Sequence, residues 1–173
     1  MPKVIENIKE NILAEAKRQI LSDDGYDAMT IRKVADACNI AVGTVYNYFP
    51  SKESMAANVM LIDWNRLVSE ACPKLKKADP SSGVKTVFNV IRDFSSIYGK
   101  MWLKGGAVRS TSVSGGDYHK MTVSQIKEMI EMFIKDPDEP YLTTFLAEVL
   151  IDLGSNGYTQ YKDIEPLINK IIN

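Results

Sequence analysis

This sequence predicts an all-α chain, and three observations predict it. Apolar residues recur at steps of three and four along most of the 173 residues, the repeat of one helix face. No stretch sustains the polar–apolar alternation of a half-buried strand. Pro, Gly and short Asp/Ser runs fall between the periodic segments, where helices stop and start. Within that class the spacing predicts an N-terminal three-helix domain with a helix-turn-helix over residues 1–50. A helical C-terminal domain occupies residues 51–173.

Ile5, Ile8, Ile12, Ala16 and Ile20 form the stripe of a first amphipathic helix. Ser22-Asp23-Asp24-Gly25 ends it, with Gly25 as a left-handed cap. Thr30 caps a second helix through about Cys38, with Ile31, Val34, Ala35 and Cys38 facing inward. Asn39 suits a turn, because Asn tolerates left-handed backbone. A third helix runs from about Ala41 to Tyr48. Pro50 stops it, since the residue before a proline avoids helical angles.

Ser51 caps a fourth helix, with Glu53 in the first turn where the dipole favours it. Pro73 is expected to end that helix after about Cys72. Residues 73–83, PKLKKADPSSG, read as a polar connector. Val84, Val87, Phe88, Ile91, Phe94, Ile97, Tyr98 and Met101 mark the next helix. Residues 105–117, GGAVRSTSVSGGD, read as a loop or an irregular short helix. Met121 to Phe133 and Leu142 to Leu153 mark two more helices, and a last one covers about 163–172. The domain boundary is placed near residue 50, with the fourth helix packing on the C-terminal domain.

Function is most legible in residues 30–52, TIRKVADACNIAVGTVYNYFPSK. At about 100° per residue, Val42, Gly43, Tyr46 and Asn47 share one face of the third helix, and Val45 and Phe49 another. The apolar pair should pack inward. The other face suits the major groove of DNA. Gly43 lets the backbone approach closely. Val42 can touch a thymine methyl, and Asn47 can make two bonds to adenine. Thr44 can bond a base or a phosphate. Tyr46 and Tyr48 can donate to phosphates, fixing register without reading sequence. Thr30, Arg32, Lys33 and Lys52 can add phosphate contacts.

The same residues carry a family resemblance. From about residue 10 to 56 the chain resembles the N-terminal domain of TetR-type transcriptional regulators. The matching parts are Gly25-Tyr26, Thr30, Val34-Ala35, Gly43-Thr44, the Tyr46-x-Tyr48-Phe49 run and Lys52. By resemblance, Thr30, Thr44, Tyr46, Asn47, Tyr48 and Lys52 fall at positions that touch DNA. Leu21 stands where many members carry an aromatic residue, and is expected to keep its core role. Asn39 stands where many carry glycine. The resemblance implies a repressor, a homodimer, double-stranded palindromic operator DNA and an effector-responsive C-terminal domain. In such regulators a ligand moves the fourth helix and so the spacing of the two reading heads.

Charge limits how such a domain could bind. The chain has a formal net charge of −1, so no overall field draws in nucleic acid. Residues 1–56 hold seven cations (Lys3, Lys9, Lys17, Arg18, Arg32, Lys33, Lys52) against eight acids (Glu6, Glu10, Glu15, Asp23, Asp24, Asp27, Asp36, Glu53). Affinity must come from a few placed cations, amide dipoles and two copies per dimer.

An effector pocket, if the C-terminal domain has one, would use its large adaptable side chains. Trp64, Phe88, Phe94, Tyr98, Met101, Trp102, Tyr118 and Met129 are the candidates, and each also reads as ordinary core. Together they suit a small apolar or aromatic effector. His119 reads as a surface residue or a pocket hydrogen-bond partner, and Arg109 as a loop charge or an anion clamp. Dimer contacts are expected from about 118–135 and 139–157, where Phe145, Leu146, Val149, Leu150 and Leu153 make an apolar run.

The remaining observations exclude other classes. No Ser-His-acid set, phosphate-binding Gly loop or metal-ligand cluster is present, so neither an enzyme nor a cofactor is expected. Two cysteines make no disulfide framework. The charged N-terminus is no secretory signal, and no apolar run of about 18 residues could span a membrane. The expected setting is cytoplasmic. The alternatives kept open are a helical ligand-binding protein or enzyme using the C-terminal pocket, and a helix-turn-helix protein that contacts another protein.

Overall fold

The computed structural model describes residues 7–103, 115–135, 139 and 141–172; at Lys100, Trp102, Leu103 and residues 115–119 only the backbone is described. Among the described residues the chain is helical and holds no strand. The helices are α1 (Ile8–Ile20), α2 (Gly25–Ala28), α3 (Ile31–Ala37), α4 (Val42–Tyr48), α5 (Lys52–Leu75), α6 (Pro80–Leu103), α7 (Gly115–Ile130), α8 (Leu142–Ser155) and α9 (Tyr161–Ile172).

Two compact units emerge. Among the described residues, one runs to Ile62 and takes in Met101 to Leu103; the other comprises Asp63–Lys100 and the described chain from Gly115 on. By this grouping the first unit includes the opening turns of α5. In the first unit α1 packs on α2 and α3, and α3 packs on α4. Ile12, Ala16, Val34, Ala35 and Val45 are fully enclosed there. In the second, α7 packs on α8, and Phe88, Tyr98, Ile126, Leu146 and Leu150 are fully enclosed.

Local signals placed several helix ends. The Thr30 hydroxyl accepts from Lys33 N–H at 3.1 Å and caps α3. Ser51 does the same for α5, accepting from Ser54 N–H at 3.1 Å. Each satisfies a backbone donor that the first helical turn leaves without a partner. Asn39 takes left-handed backbone at φ 54°. Phe49, before Pro50, is extended at φ −135° and ψ 110°, so α4 stops where proline chemistry requires.

Several expectations need correction. Gly25 is left-handed at φ 63°, but it opens the extra helical turn α2, and α1 closes at Leu21 in ordinary helical backbone. Leu21 is 52% exposed and is not core; it lies one residue off the stripe that ends at Ile20. Cys38 is half-buried, its thiol facing the Asn11 carbonyl oxygen at 3.7 Å.

Pro73 does not end α5, which continues to Leu75. A proline in the last turn forfeits one bond, and the enclosed Ala71 and Leu75 hold that turn against the core. The connector is therefore shorter than 73–83. Asp79 caps α6 by accepting from Ser82 N–H at 3.1 Å, and Pro80 takes the first helical position, where its missing N–H costs nothing. Gly115 to Asp117 belong to α7 and not to a loop; the rest of the Gly/Ser segment, with Arg109, lies outside the described residues.

Candidate nucleic-acid interface

The sequence of α4 divides its faces, and burial agrees with that division. Val45 is 0% and Phe49 1% exposed, which seats the helix on its own unit. The opposite side presents Gly43, Tyr46, Asn47 and Tyr48 to solvent, with Tyr46 53% exposed. Val42 and Thr44 are half-buried at the edges of that face. Among the described residues no atom lies within 4 Å of where a Gly43 Cβ would stand. Packing against the described residues therefore does not require glycine here.

The cations sit around the α2–α3 corner. Thr30, Arg32 and Lys33 are exposed at the start of α3. Lys33 Nζ donates to the Ala28 carbonyl at 2.9 Å. Lys52, half-buried at the start of α5, donates to the neighbouring Asp27 carbonyl at 3.2 Å and lies 4.2 Å from the centre of the Tyr26 ring. Burial draws the Lys52 ammonium below its ordinary pKa, Asp27 and Glu53 oppose that, and Lys33 adds to it. The Tyr26 phenol is pushed up to about 12, first by burial and then by Glu53. Sequence reasoning used Tyr26 only as part of the family resemblance. Its partner Lys52 is too distant along the chain for periodicity to reveal the contact.

Among the expected effector residues, Trp64, Phe94 and Tyr98 come together. The Trp64 and Phe94 rings meet edge-on at 5.3 Å, and Phe94 meets Tyr98 at 5.0 Å. Phe88 stacks instead near Tyr161 at 5.6 Å. Met129 is enclosed in the same unit, while Met101 belongs to the other. The side chains of Trp102, Tyr118 and His119 lie outside those described. Two polar partners escaped the sequence reading. The Tyr98 hydroxyl donates to the buried Asp63 carboxylate, and Trp64 Nε1 donates to Gln125 Oε1 at 2.8 Å. The signal was present for Asp63, an acid at helical spacing from the enclosed Val59 and Met60.

A groove of about 390 Å³ runs beside α1 and the end of α3, lined by Asn11, Glu15, Arg18, Cys38 and Ile40 among others. Burial pushes the Cys38 thiol up, which lowers its reactivity. Among the described residues no group of three or more His, Cys, Asp or Glu could hold a metal, and no helix is long and apolar enough to cross a membrane.

Known proteins with the same features are gene regulators. The family of bacterial regulatory proteins of the tetR type matches residues 12–59. The HTH-type transcriptional repressor KstR of Mycobacterium tuberculosis is 38% identical over 55 residues, 32% of this chain and 25% of that one. KstR of Rhodococcus jostii is 32% identical over 71 residues, 37% of this chain and 34% of that one. The matches thus span about a quarter to a third of the length of these curated relatives. In fold, a TetR transcriptional regulator from Legionella pneumophila aligns with a TM-score of 0.62 at 18% identity, over 98% of this chain and 100% of that one. The helical order, the outward face of α4 and the matched segment lead to one statement: residues 12–59 are similar to the tetR family of bacterial regulatory proteins, and the chain has the fold of a TetR-type regulator.

Proposed function

We propose that this protein is an operator-binding transcriptional repressor that acts as a homodimer and answers to a small apolar or aromatic effector. The reading head is residues 1–50, and residues 51–173 sense and dimerise. The observation that carries the reading is the division of α4. Val45 and Phe49 anchor the helix, while Gly43, Tyr46, Asn47 and Tyr48 are left open to solvent. Val42 and Thr44 flank them, and Thr30, Arg32, Lys33 and Lys52 supply the phosphate contacts that fix its register.

Two reading heads must lie about 34–36 Å apart to enter successive major grooves on one side of a palindromic duplex. A modest change of that separation disables binding. An effector achieves it only by preferring one of the two states. The partners are double-stranded DNA, a second copy and a small molecule, in a cytoplasmic setting and without catalysis.

Selection from random duplex DNA tests the reading. The wild-type chain should enrich a palindrome. Asn47→Ala should lose preference at one A·T pair, worth roughly 1–3 kcal/mol. Tyr46→Ala should weaken all sequences alike. Enrichment of no duplex at low salt would sink the proposal and favour a protein-contacting role.

A further inference from the structure

The short helix α2 confines a cation that belongs to another helix. Gly25 enters α2 in left-handed backbone, and Tyr26 is its second residue. The Lys52 ammonium lies 4.2 Å from the Tyr26 ring centre and donates to Asp27 C=O at 3.2 Å. Lys33 donates to the next carbonyl along, Ala28, at 2.9 Å. Burial and then the nearby Glu53 carboxylate keep the Tyr26 phenol protonated.

A lysine on a helix surface ordinarily sweeps its flexible four-carbon stem through many rotamers. Here a ring face and a carbonyl confine it. Each ammonium has three hydrogens, so donors remain after the carbonyl bond is made. The two ammoniums also repel one another, and an anion shared between them relieves that repulsion.

We propose that Tyr26 is a positioning residue for DNA binding: its ring and the Asp27 carbonyl hold the Lys52 ammonium beside Lys33, preset to meet a backbone phosphate. The inference rests on Lys52 being a phosphate contact, as in the proposed function. Tyr26 itself touches no DNA. It acts by removing the ordering that Lys52 would otherwise undergo on association, which is how preorganised groups gain affinity.

The test uses the whole chain and its selected duplex across a salt series. Lys52→Met should make the slope of log K against log salt shallower by about 0.9 per subunit. Tyr26→Leu should weaken binding roughly 3- to 30-fold, the range of a cation–π contact. That loss should vanish in a Lys52→Met background. Tyr26→Phe keeps the ring face and should bind like the wild type. A fluorinated phenylalanine at position 26, equal in shape but with its face drained of charge, should behave like Tyr26→Leu and serves if that variant does not fold.

A loss from Tyr26→Leu that is equal with and without Lys52 would make Tyr26 merely structural and overturn the inference. An unchanged salt slope in Lys52→Met would also overturn it, while leaving operator binding intact. Failure of the wild type to select any duplex would remove the repressor reading itself, and this inference with it.

Discussion

Tyr98 donates its phenolic hydrogen to the carboxylate of Asp63, and both side chains are closed off from solvent. The bond ties α6 to α5. The next residue, Trp64, ties α5 to α7 through Gln125. Arg66 Nε stands 4.0 Å from the far carboxylate oxygen of Asp63. Adjacent positions on one helix therefore carry polar links to two others inside an aromatic core.

Tyr98→Phe should reveal what that link contributes. The ring stays, and one donor to a buried carboxylate is lost. Hydrogen bonds to charged groups contribute about 1.5–3 kcal/mol. A loss of that size lowers Tm by about 2–4 °C per kcal/mol in a chain of this length. Calorimetry showing an unchanged Tm would mean that water or another donor replaces the phenol without loss.

Tyr26 gives the fold an alkaline limit. Its phenol is held up to about 12, so the folded chain keeps a proton that the unfolded chain releases near the ordinary value of 10.0. A raised folded value means that this contribution is complete below about pH 10 and fades as pH climbs toward about 12. Tyr26→Phe lacks that proton, so its Tm should fall less steeply than the wild type's over the same interval. Parallel declines in the two proteins would contradict the assignment.

Gly43 and Gly83 should respond oppositely to alanine. A Cβ on Gly83 would stand 2.5 Å from ring carbons of Phe133. Overpacking of that kind costs about 1–3 kcal/mol, and Gly83→Ala should melt earlier. A Cβ on Gly43 meets none of the described residues within 4 Å. Gly43→Ala should melt no earlier, and gain about 0.5–1 kcal/mol from helix entropy. Its binding to the selected duplex should weaken by roughly 1–3 kcal/mol, about one good base contact. A Gly43→Ala variant that binds normally would show that the backbone there does not approach DNA.

Phe145 is the residue with which to probe dimerisation. It is 51% exposed on α8, whereas Leu146 beside it is 0% exposed within its own protomer. A charge at Leu146 would break the fold before it reported on any partner. Phe145→Glu should keep its helical circular dichroism and sediment as a monomer. An intact dimer would mean that the outward face of α8, with Tyr141 and Phe145, lies outside the contact.

How much of the fold and of the interface was legible in the sequence depends on the range of each interaction. Thr30, Ser51, Asn39 and the stop before Pro50 were readable because each acts within about three residues of itself. The faces of α4 were readable because Val45 and Phe49 lie one turn apart. The helix α2 was not, since four residues show no period. The start of α6 was written in Asp79-Pro80, but the surrounding Lys and Ser residues favoured a connector. Leu21 was misjudged on its chemistry when its register already placed it off the stripe. The burial of Trp64, Phe94 and Tyr98 agreed with their spacing. Which rings meet depends on where α5 and α6 approach, which no single helix encodes. The clasp of Lys52 on Tyr26 was hidden for the same reason.

Asn39 governs aim. At φ 54° it alone sets the bend between α3 and α4 in left-handed backbone. Most side chains would resist that angle by roughly 1–2 kcal/mol, and the relief would come from swinging the outgoing rod. A helix tilted by a few degrees at its root is displaced most at its far end. Under the proposed function, promoter choice would be hostage to the tolerance of one amide side chain that no nucleotide need ever meet.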